Sequence, residues 1–321
     1  MILTLTPNPS IDRTVTLAGP LVRGAVQRLE TVTSQGGGKG VNISRAAVAA
    51  GLATVAVIPA AEDDPFVVGL QHDGIETCPV PPAGPVRVNL AITEPDGTTT
   101  KLNSPGPTVT AGVLDGMAAG LLALAGEADW VVLAGSLPPG APAGWYAELV
   151  TALRDTSARV AVDTSEEALA ALVAALPGAA PDLMKPNGEE LASLTGADPE
   201  RLESDPRAVA RAAADLVGRG VGAVLATLGG RGAVLVTGEG AWFASSPPID
   251  VVSTVGAGDS SLFGYLLGDV RGLGPADRLA LGVAYGSAAA GLPGTTIPTP
   301  TQAHPEQATV RPLDLQTEST P

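Results

Sequence analysis

The chain has 321 residues, 45 % hydrophobic but only 3 % aromatic, and a formal net charge of −15 from 18 Lys plus Arg against 33 Asp plus Glu. That balance shows no basic stripe, so no nucleic-acid partner is expected, and the acidity reads as a solubility feature. One cysteine, Cys78, and two histidines, His72 and His304, leave no internal disulfide, no cysteine metal cluster and no histidine-based triad to expect.

Ile2 to Thr6 reads as an apolar strand, with no basic segment or secretory pattern at the start. Asp12 to Leu17 and Gln27 to Val32 are short β candidates. Ile43 to Ala50 has helical spacing and Thr54 to Ile58 that of a strand. The longest apolar stretch, Ala46 to Ala61, is interrupted by Gly51 and Pro59. It is too short to cross a hydrocarbon layer of about 30 Å, so a cytoplasmic protein with no membrane partner is expected. Val86, Val88, Leu90 and Ile92 alternate with Arg87, Asn89, Ala91 and Thr93, Pro95-Asp96-Gly97 supplies a turn, and Thr98 to Leu102 runs back. That is a hairpin with one apolar and one polar face. Val109 to Ala125, Trp145 to Leu153, Glu166 to Leu176 and Ala208 to Val217 read as helices. Trp130 to Ala134, Arg159 to Val162 and Ala223 to Thr227 read as strands. Wholly apolar strands alternating with helices predict an α/β domain over 1–300, with a mostly parallel sheet covered on both faces. The inserted short strands, from about 12–33 and 75–103, predict a small β-sheet lid over the sheet's C-terminal edge. Residues 301–321, rich in Pro, Thr and Gln, read as a tail whose last part is mobile.

Four glycine-bearing segments are candidates for chemistry. Gly36-Gly37-Gly38-Lys39-Gly40 fails the P-loop pattern because Gly40, not Ser or Thr, follows Lys39. It is either a flexible loop or an anion cradle at a helix start, with Asn42 in the first turn. Gly218-Arg219-Gly220-Val221-Gly222-Ala223 lies after a helix and before a strand, the reverse of a dinucleotide fingerprint, and reads as a helix C-cap. Thr254-Val255-Gly256-Ala257-Gly258-Asp259-Ser260 precedes an apolar helix. Its backbone N–H groups and helix dipole form an anion site beside Asp259, unless Asp259 is simply an N-cap. In Lys185-Pro186-Asn187-Gly188-Glu189-Glu190, Asn187 and Glu190 share a helix face, either as a capping box or as a contact to Mg²⁺ or phosphate.

Taken together, these segments resemble the ribokinase-like (PfkB) carbohydrate kinases over roughly residues 1–300. Gln35 to Asn42 and Val252 to Ser260 carry the two signatures. Thr6-Pro7-Asn8-Pro9-Ser10-Ile11-Asp12, Leu133 to Gly140 and Ala290 to Thr295 are similar to the branch acting on sugars that already bear a phosphate. The resemblance implies a three-layer α/β/α fold and ATP-dependent phosphorylation of a sugar phosphate, with fructose 1-phosphate the expected substrate. Tagatose 6-phosphate, fructose 6-phosphate and an unphosphorylated sugar are the alternatives. A catalytically silent sugar or nucleotide sensor is an alternative of another class. It implies Asp259 as base, with Gly256, Ala257 and Gly258 as the anion hole. Asp12, Gly38, Lys39 and Asn42 would line the sugar site. Arg87 and Ser136 would meet the substrate's own phosphate, with Lys39 expected to join Arg87 there. Lys185, Asn187, Glu190, Thr227, Gly229 and Gly232 would serve Mg²⁺–ATP, Glu190 reaching the metal through water. Pairing of two copies through the lid is a further expectation.

Overall fold

Residues 1–315 are described by a computed structural model. The chain opens with β1 (Ile2–Leu5), β2 (Ser10–Leu17) and β3 (Leu29–Gly37), then α1 (Lys39–Ala49), β4 (Thr54–Pro59), α2 (Pro65–His72) and β5 (Glu76–Val80). The hairpin β6 (Arg87–Thr93) and β7 (Thr99–Leu102) follows, then α3 (Ala111–Ala125), β8 (Trp130–Ala134), α4 (Trp145–Leu153), β9 (Arg159–Asp163) and α5 (Glu166–Ala174). Next come β10 (Leu183–Met184), α6 (Gly188–Thr195), α7 (Pro199–Ser204), α8 (Pro206–Gly218) and β11 (Ala223–Thr227). Last are β12 (Ala233–Thr237), β13 (Gly240–Ala244), α9 (Ala257–Val270), α10 (Pro275–Ala290) and β14 (Val310–Pro312). Local chemistry explains several starts. Asp64, Asp198 and Asp205 each cap a helix whose next residue is proline, where no N–H is needed.

Ten strands form one sheet in the order β14-β13-β12-β11-β10-β9-β8-β1-β4-β5. Pairing is parallel from β5 to β11 and antiparallel from β11 to β14. Period-two alternation divides its side chains between two faces. Leu3, Leu5, Val131 and Leu133 meet Met117, Leu121, Tyr146 and Leu216 on one face. Ile2, Trp130, Val132 and Ala161 meet Ile43, Phe263, Leu266 and Leu279 on the other. The sheet is thus a buried middle layer, which is why its central strands are apolar throughout. On the second face α9 and α10 come very close. A Cβ at Gly264 would stand 2.6 Å from the Leu281 carbonyl oxygen.

A second sheet, β3-β2-β6-β7, is rooted at the C-terminal edge of the first. β2 begins five residues after β1 ends, and β3 ends at Gly37, just before α1. Its register puts Ser10, Asp12, Arg87 and Asn89 on one face and Val15, Val32, Leu90, Ile92 and Leu102 on the other.

Three expectations are corrected. Glu76–Val80, inside the range given to the lid, pairs with β4 in the large sheet. α1 begins at Lys39, four residues before the expected start, so the lysine belongs to the helix and not to a loop before it. The C-terminal segment contributes β14, which pairs with β13, and buries Ala303 and Leu313. The exposed β13 edge and these apolar side chains hold a segment whose composition reads as tail. Residues 316–321 lie outside the described residues. No helix among the described residues is long and apolar enough to cross a membrane.

Candidate active site

The sheet order reverses at β1, since the chain first adds β4 and β5 on one side and later β8 on the other. A crevice at such a switch point lies outside the strands' C-terminal ends. Ser136 lies two residues past β8, Asp163 is the last residue of β9, Lys185 follows β10 and Thr227 ends β11. The starts of α1 and α9 close the crevice from one face.

Gly256 caps α9 in the left-handed region, with φ 79°, a turn that lets the helix start point at the crevice. The first N–H groups of a helix have no intrahelical acceptor and carry its positive end. Lys185 Nζ lies beside this terminus, 3.4 Å from where a Cβ on Gly258 would stand.

Four charged groups meet there. Lys39 Nζ is 3.0 Å from Asp163 Oδ1 and 3.7 Å from Asp259 Oδ1. Lys185 Nζ is 3.2 Å from Asp163 Oδ2. Asn42 Nδ2 donates to Asp259 Oδ2 at 2.8 Å. Burial raises the Asp259 pKa above the ordinary carboxylate value, and neighbouring Asp163 adds to this against the pull of Lys39. Burial acts on Asp163 in the same sense, but Lys185 and Lys39 outweigh it and hold its pKa low. Burial disfavours the charge on Lys39, yet the carboxylates of Asp163 and Asp259 more than offset it and keep the amine protonated. One carboxylate is therefore tied up as a counter-ion and the other is left more basic.

The lid brings the sugar-side candidates. A Cβ on Gly37 would fall 2.2 Å from Asp12 Oδ2, so only glycine admits that carboxylate. Asp12 Oδ1 accepts from Ser10 Oγ at 2.8 Å and from Asn89 Nδ2 at 3.0 Å. Gly38 has φ 120°, and a Cβ there would stand 2.6 Å from Thr6 Cγ2. Arg87 donates to the carbonyls of Asn8, at 3.3 Å, and Ser104, at 2.8 Å. It is aimed by backbone and not by a carboxylate. Ser136 is exposed.

Asn187 and Glu190 form the capping box: Glu190 N donates to Asn187 Oδ1, and Asn187 N to Glu190 Oε2, both at 2.8 Å. Thr227 bridges to Asn187, which joins these strand ends. Gly229 has φ 57° and faces open space, whereas a Cβ on Gly232 would stand 1.9 Å from the Ala244 carbonyl oxygen. Close backbone packing against the end of β13 therefore requires glycine at 232. No cluster of three or more His, Cys, Asp or Glu side chains that could cage a metal occurs among the described residues.

Sequence reasoning did not single out Asp163. The sequence does show a carboxylate directly after four strand residues, Arg159 to Val162. The buried carboxylates of Asp163 and Asp259 hold Lys39, at 3.0 and 3.7 Å, while Arg87 is held by Asn8 and Ser104 on the lid side.

The family model described as pfkB family carbohydrate kinase matches residues 6–302. A 1-phosphofructokinase of Rhodobacter capsulatus is 38 % identical over 93 % of this chain and 93 % of its own. One of Haloferax volcanii is 36 % identical over 97 % and 99 %. Among solved structures, phosphofructokinase-2 from Escherichia coli in complex with substrates and products is 29 % identical, with a TM-score of 0.85 over 94 % of this chain and 96 % of that one. The switch-point crevice and its glycine-framed helix start fall within that match, and the chain belongs to the pfkB family of carbohydrate kinases.

Proposed function

We propose that this chain is a 1-phosphofructokinase that transfers the γ-phosphoryl group of ATP to the C6 hydroxyl of fructose 1-phosphate, giving fructose 1,6-bisphosphate and ADP. The observation that carries this reading is the likeness, along nearly the whole of both chains, to relatives bearing that name. Asp259 takes the hydroxyl proton as O6 bonds to the γ-phosphorus. The bond from that phosphorus to the β–γ bridging oxygen breaks, and ADP leaves with its electron pair. The buried carboxylate of raised pKa supports the base role. The N–H groups of Gly256, Ala257 and Gly258 face the transferring group, where one such donor contributes about 2.7–4 kcal/mol. Lys39 balances Asp259 before the proton moves and the phosphoryl charge afterwards.

Asp12, Gly38 and Asn42 line the sugar, and Arg87 and Ser136 hold its C1 phosphate. Lys185, Asn187, Thr227 and Gly229 border the nucleotide. Within the quartet the two ammonium and two carboxylate charges cancel, so ATP brings charge that these side chains do not neutralise. Mg²⁺ bound with the nucleotide would supply that neutralisation, and Glu190 would hold it through water. Two copies pair through the apolar lid face, where Val32 and Leu102 are each 55 % exposed.

A coupled ADP-release assay over fructose 1-phosphate, fructose 6-phosphate, tagatose 6-phosphate and free fructose tests the substrate. Fructose 1-phosphate should give the highest kcat/KM by about 10-fold or more. A higher value with any of the others would replace it as substrate.

A further inference from the structure

Asp259 is oriented by side chains that lead out of the substrate crevice. Asn42 Nδ2 donates to Asp259 Oδ2 at 2.8 Å. Three residues along α1, on the same helix face, Arg45 Nη1 donates to Asn42 Oδ1 at 3.4 Å. Its Nη2 donates to the Gly36 carbonyl at 2.8 Å. A primary amide has one donating and one accepting end. The carboxylate requires the donor, and the guanidinium, which cannot accept, requires the acceptor. One orientation of Asn42 satisfies both. The reverse would set N–H against guanidinium and oxygen against carboxylate.

Arg45 is unusual in its own right. Its side chain is only 12 % exposed, and its one ion pair among the described residues is at 3.4 Å to Asp73 Oδ2, a group 43 % exposed at the end of α2. Its Nε is buried without a partner among the described residues. Burial disfavours its charge, with Asp73 and Asp12 opposing that effect. A half-exposed partner is a weak reason to bury a guanidinium, since such pairs contribute little. Holding Asn42 and Gly36 is a better one.

We propose that Arg45 is a positioning residue for phosphoryl transfer: it fixes the Asn42 amide, and through it the base, and pins the Gly36 carbonyl where the lid strand enters α1. This rests on the reading of Asp259 as base. The groups facing Asp259 are Lys39 from α1, Asp163 from β9 and Lys185 after β10, together with Asn42. Those facing Arg45 are Asp73 and Asp12, with exposed His72 beside Asp73.

The test compares Arg45→Met, Arg45→Lys, Asp73→Asn and Asn42→Ala, with Asp259→Asn as reference. Arg45→Met lowers kcat about 10- to 100-fold, the usual effect of a misplaced reacting group. It leaves the KM for ATP within about twofold. The acid limb of its kcat profile moves to higher pH, because Asp259 loses a donor that favours its charged form. In the Asn42→Ala background the same change lowers kcat by less than about threefold, as expected for residues acting as a unit. Asp73→Asn keeps kcat. Should Arg45→Met not fold, Arg45→Lys keeps the charge without the fork and answers through the same cycle. An unmoved acid limb with additive losses, or Asp73→Asn matching Arg45→Met, overturns the proposal. An active Asp259→Asn removes the base assignment and this inference with it. An inactive Asp259→Asn beside a normal Arg45→Met removes this inference alone.

Discussion

Asp259 and Asp163 are both buried carboxylates, and their pKa values move in opposite directions. For Asp259 the folded pKa lies above the unfolded one, so its charge destabilises the fold at neutral pH, and that penalty fades as pH falls through the folded value. Asp259→Asn should therefore raise Tm at pH 7 while lowering kcat by about 10²–10⁴-fold. An unchanged kcat would remove the base role. For Asp163 the folded pKa is depressed. Its contribution is present above the unfolded value and is lost as pH falls through the folded one. Asp163→Asn leaves buried Lys185 without its counter-ion and should cost about 3–5 kcal/mol in urea unfolding. Loss of less than about 1 kcal/mol would mean that water replaces the carboxylate. Asp259 was legible in sequence because the two glycines just before it, Gly256 and Gly258, announce a helix start aimed at an anion. Asp163 was not, because a carboxylate at a strand end is meaningful only once Lys39 and Lys185 arrive from elements distant in sequence.

Elements were legible where periodicity was strong. Trp130–Ala134 and Trp145–Leu153 fall on their expected bounds, since a buried apolar strand and an amphipathic helix leave little choice of register. The hairpin was legible from its alternation, and the two faces now have distinct partners. The polar one turns Asp12 and Arg87 toward the crevice, and the apolar one leaves Val32 and Leu102 half exposed. β14 was not legible, because its strand character comes from the open β13 edge and not from Val310-Arg311-Pro312. The first turn of α1, which its three preceding glycines left open between loop and helix start, is helical and is held by Thr6 Oγ1 accepting from Val41 N at 3.1 Å. If two lids pair, Val32→Lys should convert a dimeric mass by light scattering into a monomeric one, with far-UV CD unchanged. A wild-type chain that is monomeric at micromolar concentration would refute the lid contact.

At the scale of the whole molecule, a chain of net charge −15 must bind two polyanions. Its long-range field opposes both, although salt at about 0.15 M screens charges beyond roughly 8 Å. Recognition must therefore be local, and local cations are scarce. Lys39 and Lys185 are already matched by Asp163 and Asp259 at the reacting end. Arg87 is held by two carbonyls, which aim the guanidinium without neutralising it. A planar fork aimed this way suits phosphate oxygens. Hydrogen bonds to charged groups contribute about 1.5–3 kcal/mol, so Arg87→Ala should raise the KM for fructose 1-phosphate about 10- to 150-fold. Free fructose lacks the phosphate, and its poor kcat/KM should scarcely change. Arg87 also ties Asn8 to Ser104, in the connection between β7 and α3, so Arg87→Lys separates charge from fork. It should recover part of the lost affinity if phosphate is the partner. Equal loss with phosphorylated and free sugar would show that Arg87 acts by bracing the lid against Asn8. The substrate's phosphate would then have to be met elsewhere, with exposed Ser136 the remaining candidate.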